Sequence, residues 1–193
     1  MIKELCATLF LLCNPVINGF DFNYDINPRD DFVRGIAECT VVNNAFVRPE
    51  ERVIVVISVA QAILESDWGR SRFATEANNF YGMIQTDKTE PHIKSLNSDI
   101  ILKVYGNKCE SVSDYIELLN TSSAFGEYRD LRLKQVLDDN VDIHEVIKTL
   151  KNYAVDPEYV DKLLFVTLGL FRKYPHIFRS HEISEHYRNN KKT

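Results

Sequence analysis

A chain of 193 residues, 45% of them hydrophobic, suffices for one well-packed domain and is short for two. Its formal charge of −5 leaves no basic footprint, so nucleic acid is not an expected partner. The histidines (His92, His144, His176, His181 and His186) are scattered, and no histidine–cysteine set has zinc spacing, so neither metal nor cofactor is expected.

The opening MIKELCATLFLLCNPVINGF has a lysine near its start, an apolar run over residues 5–12 and a small residue, Gly19, at its exit. That layout reads as a signal peptide over residues 1–19, because the apolar run is too short to span a bilayer. Glu4 and the absence of an A-x-A pattern at Asn18-Gly19 leave an amphipathic first helix as the competing reading. Export to the periplasm or cell envelope is then expected, with no membrane span in the mature chain. Cys6 and Cys13 would leave with the signal, so Cys39 and Cys109 would remain, as one disulfide or as two buried thiols.

Residues 20–48 read as an irregular lead-in followed by a helix over 31–43, with Phe32, Ile36 and Cys39 on one face. Pro49, followed by Glu50 and Glu51, predicts the start of a second helix. Its core-facing stripe is Val53, Ile57, Ala60 and Leu64, and its stop is Gly69. A short helix over 70–77 closes at Asn78-Asn79. Pro91 and the polar run 94–99 read as loop, and IILKVY, residues 100–105, as a strand; together they predict a small β-hairpin lobe. Further helix starts are expected at Ser111-x-x-Asp114, at Asp142 and at Asp156-Pro157, the last helix running to Tyr174 before Pro175. Residues 179–193 form a polar tail. The expected fold is α+β, mainly α, with its body over residues 49–178.

Glu65 lies one position past the apolar stripe, at the C-terminal end of its helix. The negative end of the helix dipole and apolar neighbours such as Trp68 both disfavour its ionisation. A carboxyl raised in this way suits a general acid near neutral pH. Taken alone, it reads first as a solvated helix-end glutamate and only second as a proton donor.

The longer stretch AQAILESDWGRSRFATEANNFYG, residues 60–82, resembles the glucosaminidase domain of glycoside hydrolase family 73, with the pattern A-Q-A-x-x-E-S-G-W-G-x-S-x-x-A-x-x-x-N-N-x-F-G. Asp67 stands at a family glycine and Tyr81 at a frequent phenylalanine. YAVDPEYVDKLL, residues 153–164, is similar to the family's Tyr-Ala-Thr-Asp-x-x-Tyr stretch, with Val155 for threonine. The resemblance implies a lysozyme-like helical domain and an endo-β-N-acetylglucosaminidase acting on the β-1,4 bonds of peptidoglycan, its expected partner, as a monomer. It implies Glu65 as general acid and Tyr153 as a cleft tyrosine. Gln61, Asn79, Phe80 and Tyr81 are expected to line the sugar site, with Asn79 open to a capping role and the two aromatics to core packing. Trp68 reads as a core plug, with a sugar platform as the alternative.

The second carboxylate of a glycosidase, whose distance from the first sets retention or inversion, falls among Asp87, Glu90 and Asp99. Glu90 ranks first, and the substrate's own 2-acetamido group is the substitute if none is in reach. Asp67 is expected to raise the Glu65 pKa further if the two side chains face each other. Two alternatives stay open: an inactive wall-binding module of the same fold, and a phage lysin.

Overall fold

The computed structural model describes residues 27–96, 98–138 and 142–178. The signal-like start and the polar tail lie outside these residues.

Helix α1, Pro28–Asn44, begins three residues before the predicted start because Asn27 accepts the Arg29 backbone N–H and a proline follows at the first helical position. Its face of Val33, Ile36, Ala37 and Cys39 enters the same core as the rest of the chain. Pro49 opens only a 3-10 turn, Pro49–Glu51, instead of the predicted long helix. The chain then stays extended at Arg52 and Ile54, and helix α2 covers Val55–Ser66. The proline and the acidic first turn are genuine start signals, spent here on a single turn. In α2 every residue from Val55 to Ile63 is buried, so the helix runs through the middle of the molecule and a one-sided stripe understates it. Burying Val56, Ile57, Val59 and Ile63 stabilises by roughly 1.5–3 kcal/mol each. The polar residues in this run are all bonded internally, as they must be.

Helix α3, Arg72–Ala77, is capped by the Ser71 hydroxyl, which accepts the Ala74 N–H. The predicted lobe is an antiparallel hairpin of β1, His92–Lys94, and β2, Ile101–Lys103, in the register His92↔Lys103, Ile93↔Leu102 and Lys94↔Ile101. β2 is shorter than the predicted strand at both ends. A two-stranded hairpin is marginal by itself, and this one is tied to the helices. Arg72 Nη2 donates to the Lys94 carbonyl at 2.5 Å, and Asp114 accepts from both Lys103 and the Tyr105 hydroxyl.

Helix α4, Lys108–Thr121, starts at an Asn107 cap, so the Ser111–Asp114 pair is no capping box. Ser111 is buried inside the helix, where its hydroxyl accepts the Phe80 N–H. Helices α5, Gly126–Asp138, and α6, Ile143–Lys148, follow, with Asp142 capping α6 as predicted. Helix α7, Tyr159–Lys173, starts two residues later than Asp156-Pro157 suggests, the Asp156 carboxylate accepting the Glu158 N–H in the turn before it. It ends against the short helix α8, Pro175–Phe178. A Cys39–Cys109 disulfide joins α1 to α4 across 70 positions of sequence, which decides the cysteine question in favour of the bridge. Among the described residues, no helix is long and apolar enough to cross a membrane.

Candidate active site

Glu65 sits on the last turn of α2, and the chain beyond it turns sharply. Asp67, Trp68 and Gly69 all have positive φ, at 51°, 59° and 75°. Ser66 stabilises this corner: its hydroxyl donates to the Ala62 carbonyl and accepts the Gly69 N–H at 2.8 Å. A Cβ at Gly69 would lie 2.7 Å from the Phe32 ring of α1, so only glycine allows α1 to pack beneath the turn. The helix itself stops at Ser66, with Asp67 as its left-handed cap. That is the conformation a glycine adopts most readily, which accounts for the usual family residue at this position.

The Asp67 carboxylate is exposed and bonds Arg70 at 2.7 Å. The condition for Asp67 to raise the Glu65 pKa, that the two side chains face each other, is therefore not met. The Trp68 ring packs 6.5 Å from that of Phe32 and 4.8 Å beneath the Arg29 guanidinium.

The surroundings of Glu65 are tyrosines. Burial pushes its carboxyl up to about 7, and a hydrogen bond from Tyr159 on α7 works in the opposite sense. Among the described residues, no second charge contributes to the shift. Glu65 in turn raises the hydroxyl pKa values of Tyr159 and Tyr153, for both of which burial is the larger cause. On the other side lies Gly82, at φ 67°, where an added Cβ would come 3.5 Å from Glu65 Oε2. Gly82 is exposed, so the acid faces solvent past a residue with no side chain.

Tyr153 is near the acid and half-buried. Its ring stacks on Tyr159 at 5.8 Å, and its hydroxyl donates to the Tyr81 carbonyl at 2.9 Å. That bond ties the Tyr153 motif to the peptide joining Tyr81 to Gly82.

The four residues expected to line the sugar site are buried and hold the site from behind. Gln61, with no exposed area, bonds the hydroxyls of Tyr115 and Tyr159. Asn79 donates to the carbonyls of Met83 and Lys103 and accepts the Met83 N–H. Its neighbour Asn78 donates to the Tyr105 carbonyl, so the asparagine pair fastens both ends of the lobe. Phe80 packs on Phe32, and Tyr81 stacks on Tyr115 at 4.1 Å while its hydroxyl bonds Ser58. Amide and phenol groups committed in this way have no free face for a sugar.

Of the lobe acids, Asp87 accepts both the N–H and the hydroxyl of Thr89 in a turn, and Asp99 pairs with Lys94. Glu90 is exposed, and its carboxylate has no ion pair or hydrogen bond among the described residues. Sequence reasoning passed over Tyr159, Tyr115 and Gly82. Tyr159 and Gly82 close the two quoted motifs, so the signal lay in positions already read.

Residues 47–167 match the model of the glucosaminidase family described as mannosyl-glycoprotein endo-beta-N-acetylglucosaminidase. The chain belongs to this glucosaminidase family. The exo-glucosaminidase LytG of Bacillus subtilis (strain 168) is 33% identical over 125 residues, which are 58% of this chain and 42% of LytG. The chain thus spans about two fifths of the length of the curated relative it matches. Its fold is that of the glycoside hydrolase domain of FlgJ from Salmonella typhimurium, at TM-score 0.58 and 22% identity over 84% of this chain and 97% of that one. The catalytic domain of the autolysin Auto from Listeria monocytogenes gives 0.57 and 16%, over 93% and 97%. The chain therefore shares the mainly helical fold, with its small antiparallel hairpin, of these glycoside hydrolase and autolysin catalytic domains.

Proposed function

We propose that this chain is a peptidoglycan hydrolase that cleaves the β-1,4 bond after N-acetylglucosamine, with Glu65 as general acid. The observation that carries the reading is the Glu65 carboxyl itself, buried enough to titrate at about 7 yet facing open space beside Gly82. A carboxyl in that state is largely protonated in mildly acidic to neutral solution and can protonate the departing glycosidic oxygen as the sugar becomes oxocarbenium-like. Glu90 is the uncommitted carboxylate of the lobe, available as base or nucleophile on the opposite face of the ring. Where it does not reach, the 2-acetamido group of the substrate supplies the nucleophile. The Tyr153 phenol oxygen, its proton given to Tyr81, keeps a lone pair for a water or an N-acetyl N–H.

LytG is described as an exo-glucosaminidase and the FlgJ domain as a glycoside hydrolase, which supports cleavage of a glucosaminide bond. The disulfide supports action outside the reducing cytoplasm, in the cell envelope. The alternative of an inactive module rests on Asp67 and on the unassigned second carboxylate, and the Asp67–Arg70 pair speaks against the first ground.

The test is a zymogram on purified cell walls with mass analysis of the fragments. Clearing by the wild type, loss of clearing in Glu65→Gln and new reducing ends on N-acetylglucosamine are expected. Reducing ends on N-acetylmuramic acid would replace the reading with a muramidase. Long glycan fragments mark endo cleavage, and released monosaccharides mark exo cleavage.

A further inference from the structure

The groups behind Glu65 form an ordered chain. The Tyr115 hydroxyl donates to Gln61 Oε1 at 2.6 Å, and Gln61 Nε2 donates to the Tyr159 oxygen at 2.8 Å. The Tyr159 hydroxyl in turn faces the Glu65 carboxyl and holds its pKa down against the effect of burial. Gln61 and Tyr115 are fully buried and Tyr159 nearly so, so water does not compete for these bonds. The amide has one accepting and one donating end. Because Tyr115 takes the accepting end, Tyr159 meets the donor, and its own proton is left for Glu65. With the amide reversed, Tyr159 would donate to Gln61 and have no proton for the acid.

We propose that Tyr159 is the positioning residue of the acid, its hydroxyl turned toward Glu65 by the Tyr115–Gln61 pair so that the carboxyl presents its proton to the glycosidic oxygen. A carboxyl oxygen that accepts the Tyr159 proton acts as the carbonyl end, so the acid proton resides on the other oxygen. Once that proton has been given away, the same bond stabilises the carboxylate that remains. The ring stack of Tyr153 on Tyr159 and the packing of α7 against α2 fix the hydroxyl in place. The titratable groups facing Glu65 are Tyr159 from α7 and Tyr153 from the segment before it. Gly82, from the third side, contributes none. The proposal rests on the reading of Glu65 as the acid.

The test titrates the Glu65 carboxyl carbon by NMR in glutamate-labelled protein, alongside kcat and KM on soluble peptidoglycan fragments. Tyr159→Phe keeps the stacked ring and removes the hydroxyl. The Glu65 midpoint is expected to rise by about one pH unit, with kcat falling at least tenfold and KM nearly unchanged, because Tyr159 is buried behind the acid. Tyr115→Phe, at the far end, frees the amide to reverse and should give a smaller rise in the same direction. It also serves if Tyr159→Phe fails to fold. An unchanged midpoint in Tyr159→Phe, or in Tyr115→Phe, overturns the relay. A raised midpoint in a protein whose wild type hydrolyses nothing overturns the catalytic role and, separately, the proposed function.

Discussion

At the scale of single residues, the state of Glu65 governs both activity and stability. Its folded pKa is about 7 against 4.5 for an ordinary glutamate, so between those values the folded chain holds a proton that the unfolded chain releases. Stability therefore falls as pH rises through that window, by about 3 kcal/mol at most. Glu65→Gln, which has no charge to bury, should melt higher than wild type at pH 8 and match it at pH 4, as calorimetry at the two pH values would reveal. Activity follows the protonated form, so kcat/KM should fall about tenfold per pH unit above 7. Asp67→Gly should leave that profile unmoved, since its carboxylate belongs to Arg70; a displaced alkaline limb would contradict the geometry. Gly82→Ala places a methyl against Oε2 in left-handed backbone, at a cost of about 1–2 kcal/mol, and a loss of turnover larger than the loss of stability is expected.

Among the elements, the lobe depends on Asn79 for its seat. Asn79→Ala removes bonds to Met83 and Lys103, each worth about 1 kcal/mol with more for groups left unpaired. Limited proteolysis should then cut within residues 84–104 while the helical body resists; cleavage spread over the whole chain would show that Asn79 supports more than the lobe. At this scale the sequence was legible where one local signal decided the outcome, as at Asp142 or in the hairpin. It misled where tertiary contacts outbid the local pattern. Ser111 and Asp114 have cap chemistry, yet Phe80, Lys103 and Tyr105 claim them, and the helix starts earlier at Asn107. The same holds at the site. A motif shows that Gln61, Asn79, Phe80 and Tyr81 belong together, but whether they face a sugar or support the wall behind it depends on burial, which spacing does not encode.

For the molecule as a whole, the disulfide closes a loop of 70 positions, a constraint worth about 4 kcal/mol in the chain-entropy account. Cys39→Ala with Cys109→Ala should lower the melting temperature markedly while leaving the pH profile of any remaining activity in place. Helix α1, which lies ahead of the family match, is joined to the rest by that bridge, by the Thr40–Ser58–Tyr81 hydroxyl chain and by Phe32 beneath Gly69.

This has a practical bearing on how the domain can be excised. The family match starts at residue 47, after α1 has ended at Asn44. A fragment trimmed to that boundary would carry Cys109 as an orphan thiol and would strip the cover from Ser58 and from the corner after Glu65. The smallest piece expected to be recovered folded therefore begins near Asn27, some twenty residues upstream of the family match.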